Sequence, residues 1–376
     1  MVADDRTGAL ETAGICADAG AGPVPVRTGA PGPVVTEGRV VVIDAGTRHH
    51  PPDEAAAMVT RVHGVEARHR AHKIDSTLRG NWAHELVATQ RLLGGRVVVV
   101  AAFPALGRTC TDGVVSQHGV PVSEGHAGAD ARRPVWSSKP ADHLRAAGAT
   151  EVVELRGAEA LGRWMDERTD GFAVCDAETD ADLESLASVW KGGSDLLFAG
   201  TARSIGAVAG VLFAAGSGPG LRPPLPRPAL VVCGSLHAAA RRQVEVLVAE
   251  AGAVVGIVGE PGDDLQRTLA NGGLVVLTTA RPTVSPVGED AATAAAEALA
   301  AAARTIMGTS PVGTLVVLGG DTAAAVLGHG ALDVCGTVAD GVPWTRDGDG
   351  RVIITRAGGF GHDRSLLELF SDRMDA

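Results

Sequence analysis

Short apolar runs alternate with longer amphipathic segments along most of the 376-residue chain. Met1-Val2-Ala3 reads as the end of a strand, followed by the polar stretch Asp4-Asp5-Arg6-Thr7-Gly8 and an Ala-rich helix to about Ala19. Strands are predicted at Arg39–Ile43, around His72 and over Arg96–Phe103, with helices near Asp53–Arg68 and over Trp82–Leu93. Asn81 stands where a helix-capping side chain is favoured. A long loop follows. Strands then return at Glu151–Leu155, Phe172–Cys175 and Asp195–Phe198, between helices Ala158–Arg168, Asp182–Trp190 and Ser204–Ala214. Apolar runs of strand length between helices predict an α/β fold with a mainly parallel sheet.

The sequence GSGPGLRPPLPRP, residues 216–228, interrupts this pattern, because its proline and glycine density suits neither a helix nor a central strand. It is read as a linker between domains at 1–215 and 229–376. Beyond it come strands Ala229–Cys233, Val254–Val258, Leu274–Thr279, Thr314–Leu318 and Val352–Thr355. Helices are predicted at His237–Ala251, Asp263–Leu269, Asp290–Met307 and Asp363–Phe370. The second half is thus a further α/β unit, and the length by itself suggests two cores.

Composition narrows the function. A net charge of −11 argues against a phosphate-tracking nucleic-acid surface or an anionic-membrane surface, while leaving room for a local basic pocket. Five cysteines without a C-x-x-C pair suit a reducing compartment. No run reaches the roughly 18–20 apolar residues of a membrane span. Asp4 and Asp5 stand where a secretory leader would be basic and then apolar, so the expected location is cytoplasmic.

Ligands of open parallel sheets bind beyond the carboxyl ends of strands, and four polar clusters fall at such ends. Asp4 and Asp5 form a carboxylate pair able to hold Mg²⁺ or accept a proton, although one of them could simply cap a helix. His72-Lys73-Ile74-Asp75-Ser76-Thr77-Leu78-Arg79-Gly80-Asn81 gathers cations, a carboxylate, hydroxyls and an amide before a helix start, an arrangement suited to a small anion. Only three of the 33 basic residues are lysine, and Lys73 is one of them. The third cluster, Phe103–Gly113, offers Arg108, Thr109 and Asp112 on a loop held by a strand. The fourth is Gly319-Gly320-Asp321-Thr322, joined by Gly234-Ser235 and Gly358-Gly359-Phe360-Gly361; three glycine turns at strand ends favour a nucleotide site. No P-loop and no dinucleotide fingerprint is present, which weakens a nicotinamide-dependent dehydrogenase.

ADDRTGALETAG, KIDSTLRGN, FPALGRTCTDG with GVPVSE, and then GSLHAAARRQV, GGDTAAAVL and GGFG together resemble the four-carbon acid sugar kinase family, over essentially the whole chain. KIDSTLRGN is the most specific of these. The resemblance implies an N-terminal domain for a sugar acid, a C-terminal domain for ATP, and an active site in the cleft between them. Carried over residue by residue, Asp4, Lys73, Ser76, Arg79, Arg108 and Asp112 would bind substrate, and Asp5 and Asp75 are the alternative catalytic bases. Ser235, Gly319, Gly320, Asp321, Thr322, Gly358 and Gly361 would bind the nucleotide. ATP and Mg²⁺ are the implied cofactors, with threonate, erythronate or 3-oxo-tetronate as acceptor; no metal ligand is assigned. Two alternatives stay open: a kinase for a different small hydroxy acid, and a non-catalytic sugar-acid or nucleotide sensor. A homo-oligomer is compatible with the sequence, which does not fix the state. Arg6 stands where the family has an aromatic residue, adding a cation near the substrate, and the region Gly125–Arg133 is short and atypical.

Overall fold

A computed structural model describes all residues except 30–39, 131–132, 194, 214–221, 261, 281–288 and 372–376. The first part of the expected linker, 216–221, therefore lies outside the described residues. The chain forms two compact units, Met1–Gly220 and Leu221–Ala376.

In the first unit the strands are β1 (Val2–Ala3), β2 (Val24–Thr28), β3 (Val42–Asp44), β4 (Arg70–Lys73), β5 (Arg96–Val100), β6 (Arg108–Thr111), β7 (Val114–Gln117), β8 (Val120–Pro121), β9 (Val152–Leu155), β10 (Gly171–Cys175) and β11 (Leu196–Gly200). The helices are α1 (Arg6–Cys16), α2 (Pro52–His63), α3 (Trp82–Leu93), α4 (Pro140–Ala146), α5 (Gly157–Glu167), α6 (Asp180–Ser188) and α7 (Ala202–Phe213). Eight of the strands make a parallel sheet in the order β2-β3-β1-β4-β11-β5-β10-β9. The chain moves outward from β1 to β2, comes back through β3, and then crosses β1 to reach β4. The order thus reverses at β1, which opens a crevice at the carboxyl ends of β3, β1 and β4.

The stretch after Phe103, read above as loop, is instead the antiparallel sheet β6-β7-β8. Asp112 and Gly113 both take positive φ, 53° and 71°, and form the two-residue turn between β6 and β7. The helix expected to run to Arg68 stops at His63, where Gly64 follows. Asn81 makes no cap: its side-chain amide donates to the carbonyls of Thr47 and His50, at 2.9 and 2.8 Å.

The second unit contains β12 (Ala229–Cys233), β13 (Val254–Ile257), β14 (Leu274–Thr278), β15 (Thr314–Leu318), β16 (Leu332–Ala339), β17 (Val342–Arg346) and β18 (Val352–Arg356). Its helices are α8 (Ala238–Ala251), α9 (Asp263–Ala270), α10 (Glu289–Thr309), α11 (Gly320–Leu327) and α12 (Ser365–Phe370). Strands β13-β14-β12-β15-β18 are parallel in that order, and β17 and β16 continue antiparallel from β18. Alternation along β12 sends Leu230 and Val232 to one face, against Leu269 and Leu299, and Val231 and Cys233 to the other, against Leu247 and Leu366. With both faces covered, the strands read as continuous apolar runs. Here too the order reverses at the central strand, β12, so the crevice opens beside Gly234.

Candidate functional site

In the first unit the carboxyl ends of β1, β3 and β4 bring together groups far apart in sequence. Asp4 is fully buried. Arg48, on the loop after β3, donates from Nε to Asp4 Oδ2 and from Nη2 to Asp4 Oδ1, both at 2.9 Å, and from Nη1 to Asp5. Its Nη2 also lies 3.7 Å from Asp75 Oδ1. Burial alone would lower the pKa of Arg48, but Asp4, Asp5 and Asp75 outweigh it and hold the group well above its ordinary value. Asp5 has a second task. Its Oδ1 accepts from Gly8 N at 2.7 Å and caps α1. A Cβ on Gly8 would stand 2.7 Å from that oxygen and 3.4 Å from Lys73 Nζ, so a glycine lets α1 begin this close to the acids.

Asp75 organises the turn after β4. It accepts from Thr77 N and Oγ1 (3.2 and 2.5 Å) and from Arg79 Nε and Nη2, each at 3.0 Å. Burial opposes its charge, yet Arg79, Arg48 and Lys73 hold the carboxyl well below its ordinary value. Gly80, at φ 93°, completes the turn; a Cβ there would come within 2.8 Å of Asp4 Oδ2. Arg108, at the start of β6, donates to Ser76 Oγ. Lys73 donates to the carbonyl of Ile74 at 2.9 Å and stands 3.8 Å from Glu11 Oε2. Glu11 Oε1 is buried and has no hydrogen-bond partner among the described residues. Burial, set against Lys73 and Arg108, pushes the Glu11 carboxyl up to about 7.

Of the residues expected at the substrate, Asp4, Asp5, Lys73, Asp75, Ser76, Arg79 and Arg108 are thus linked by direct contacts or by shared partners. Asp112 is not among them. It is 63% exposed on the β6–β7 turn and pairs with Arg156, while Asp176 accepts from its backbone N–H at 2.9 Å. The positive φ of a tight hairpin accounts for Asp-Gly at this point. Arg6 is buried and donates to Thr28 Oγ1 at 3.0 Å.

Two members of the cluster were not foreseen from the sequence. Arg48 stands on the loop before α2, and its position just past the carboxyl end of β3 is the signal that could have found it. Asn81 ties the backbone of Thr47 and His50, on either side of Arg48, to the turn after β4. Glu11 lies inside ADDRTGALETAG, and no spacing argument separates it from an ordinary helix residue.

In the second unit the three glycine turns meet. A Cβ on Gly234 would fall 2.0 Å from Thr322 Oγ1, and one on Gly358 would fall 1.8 Å from Ser235 Oγ. Gly319, at φ 113°, would place a Cβ 3.4 Å from both Ser235 N and Thr322 Oγ1, and Gly319 N donates to the carbonyl of Arg356 at 2.9 Å. Gly320, Asp321 and Thr322 form the first turn of α11, and Gly361 takes φ 79°. Every glycine-turn residue expected at a nucleotide therefore lies at the carboxyl ends of β12, β15 and β18. Backbone approach this close, at a helix N-terminus, suits phosphate oxygens.

Among the described residues no three His, Cys, Asp or Glu side chains are grouped to hold a metal ion, and no helix is long and apolar enough to cross a membrane.

Comparison with known proteins matches this division. A family model described as a sugar-binding N-terminal domain covers residues 1–207, and one described as a nucleotide-binding C-terminal domain covers 230–366. The chain is 30% identical to the D-threonate kinase of Cupriavidus necator, over 97% of this chain and 95% of that one. It is 29% identical to the 3-oxo-tetronate kinase of Methylobacterium radiotolerans, over 96% and 95%. A solved Haemophilus influenzae protein has the same fold, with a TM-score of 0.71 at 22% identity, covering 96% of this chain and 97% of that one. By its two domain matches and its full-length relatives, the chain belongs to the four-carbon acid sugar kinase family.

Proposed function

We propose that this chain transfers the terminal phosphoryl group of ATP to a hydroxyl of a four-carbon sugar acid such as threonate, erythronate or 3-oxo-tetronate. Residues 1–215 would hold the acid and residues 229–376 the nucleotide. The observation that carries the reading is the packing of Arg48, Lys73, Arg79 and Arg108 around Asp4, Asp5, Glu11 and Asp75 beyond the carboxyl ends of β1, β3 and β4. A sugar acid presents one carboxylate and several hydroxyls. Fixed cations pair with the first, and carboxylates and Ser76 accept or donate to the others.

Phosphoryl transfer asks the protein mainly for positioning and charge stabilisation, with a carboxylate near the attacking hydroxyl to take its proton. Asp5 and Asp75 are the proposed bases. Asp5 keeps its Oδ1 in the helix cap, and Asp75 spends both oxygens on Arg79, so each would act from a fixed orientation. Mg²⁺ is proposed to arrive with ATP. It commonly needs one or two carboxylates besides phosphate oxygens, and Asp321 in the first turn of α11 is the carboxylate beside the glycine turns. When bound, the ion would supply neutralising charge for the transferred group.

The test is the fate of the label. After incubation with γ-labelled ATP and D-threonate, D-erythronate or 3-oxo-tetronate, label is expected on one acid. Label only in free phosphate, with every acid, would contradict the proposal. The sensor reading would require both ligands to bind without transfer.

A further inference from the structure

Arg356 ends β18, two residues before Gly358, and is only 2% exposed. Its Nε and Nη2 have no hydrogen-bond partner among the described residues. Nη1 lies 3.1 Å from where a Cβ would stand on Gly361, so the guanidinium is directed at the turn Gly358–Gly361. Arg351, five residues earlier, is a useful contrast. It donates to Val312 O and to Asp347 Oδ2, both at 2.9 Å. Among the described residues no carboxylate pairs with Arg356. Burial draws Arg356 down to about 10, against Cys233 at the end of β12. Cys233 is also flanked by Arg241, which donates from Nη1 to Thr278 Oγ1 at 2.8 Å and whose buried Nη2 has no partner among the described residues.

A buried guanidinium is costly unless an anion meets it. A buried and a half-buried cation beside one strand end, with donors left over, make a site short of negative charge. The turn Gly358–Gly361 toward which Arg356 is directed supplies backbone approach and contains no acid. Phosphate oxygens fit this deficit better than a hydroxyl or a base would, because a planar fork of N–H groups can take two oxygens at once.

We infer that Arg356 contacts the phosphate chain of the bound nucleotide, with Arg241 as its neighbour on the β12 side. The inference rests on reading this unit as the nucleotide-binding one. It makes the number of phosphates, more than the base, the quantity this site measures. Affinity should therefore fall steeply from ATP to ADP to adenosine.

The experiment is calorimetric titration of the full chain and of Arg356→Met with ATP, ADP, adenosine and inorganic tripolyphosphate, alongside thermal unfolding without ligand. The unaltered chain is expected to bind ATP and tripolyphosphate. Arg356→Met should lose roughly 10- to 100-fold in ATP affinity, as for a charge-assisted hydrogen-bonding partner, and keep whatever affinity it has for adenosine. Arg356→Lys should recover part of the loss. Because Nε and Nη2 have no partner among the described residues, Arg356→Met should unfold at the same temperature as the unaltered chain or higher. Equal ATP affinity in both proteins would overturn the role of Arg356 alone. A lowered unfolding temperature with unchanged affinity would overturn it in favour of a structural role. Failure of the unaltered chain to bind ATP would overturn the nucleotide reading beneath it.

Discussion

Arg48 grips both carboxylate oxygens of Asp4, Nε on Oδ2 and Nη2 on Oδ1, each at 2.9 Å, with Asp4 fully shielded from solvent. Removing one partner of a buried pair leaves the other uncompensated, at a cost of about 3–5 kcal/mol. Arg48→Ala is therefore expected to lower stability by that order and to abolish sugar-acid binding. Arg48→Lys should rescue little of either, since an ammonium cannot reproduce the planar fork. Urea unfolding and acid titration measure the two effects; a stable Arg48→Ala that still binds the acid would contradict the arrangement.

Lys73→Ala should weaken sugar-acid binding and leave ATP affinity nearly intact, because Lys73 sits among the first unit's acids. The reverse split would mean that the two ligands had been assigned to the wrong units. Titration of each ligand separately reads this directly.

Asp75 is expected to matter for both shape and turnover. Asp75→Asn loses charge complementarity to Arg79 and Arg48, and turnover should fall by about 100-fold or more, the scale of a lost general base. Its depressed pKa also gives a sign. Stability from this group is present above the unfolded value near 4 and is lost as pH falls through the lower folded value. Asp75→Asn should therefore narrow its stability deficit in strong acid. A deficit constant from pH 7 to pH 2 would show that the ion pairs contribute nothing.

Glu11 has the opposite sign. Its carboxyl titrates near 7 when folded, against 4.5 ordinarily. Its contribution is fully favourable below about pH 4.5 and is lost as pH rises through 7, because the unfolded chain ionises first. Glu11→Gln should therefore gain stability relative to the unaltered chain between pH 5 and pH 8, by roughly 1–3 kcal/mol. Parallel pH profiles for the two proteins would remove the buried, proton-holding Glu11 from the account.

Gly358→Ala tests the meeting of the glycine turns. Its Cβ would fall 1.8 Å from Ser235 Oγ, so either the turn or the serine must move. ATP binding is expected to drop at least tenfold while sugar-acid binding holds. An unaffected ATP affinity would separate these turns from the nucleotide.

Much of the fold was legible in the sequence because the central strands of both units are parallel and buried. Runs such as Leu230–Cys233 and Leu315–Leu318 can only be central strands, and the polar residues that follow them must lie at carboxyl ends. What stayed hidden has physical causes. The strands of the β6-β7-β8 sheet have four residues or fewer, too short to show a period, although Asp112-Gly113 carries a hairpin signal. Asn81 looked like a cap because local sequence cannot reveal that the loop at Thr47–His50 competes for its amide. Arg48 and Arg356 share a further difficulty. In a chain with thirty-odd basic residues, only burial distinguishes an arginine that holds a site together from one that is solvated.

The most direct measurement is ADP release by the purified chain with ATP and Mg²⁺, across D-threonate, D-erythronate, 3-oxo-tetronate and close relatives of these acids. Release that depends on one of these acids is expected, with little ADP formed when no acid is present. Release at the same rate with and without every acid, or none at all while ATP and an acid both bind, would contradict the claim that this chain phosphorylates a four-carbon sugar acid.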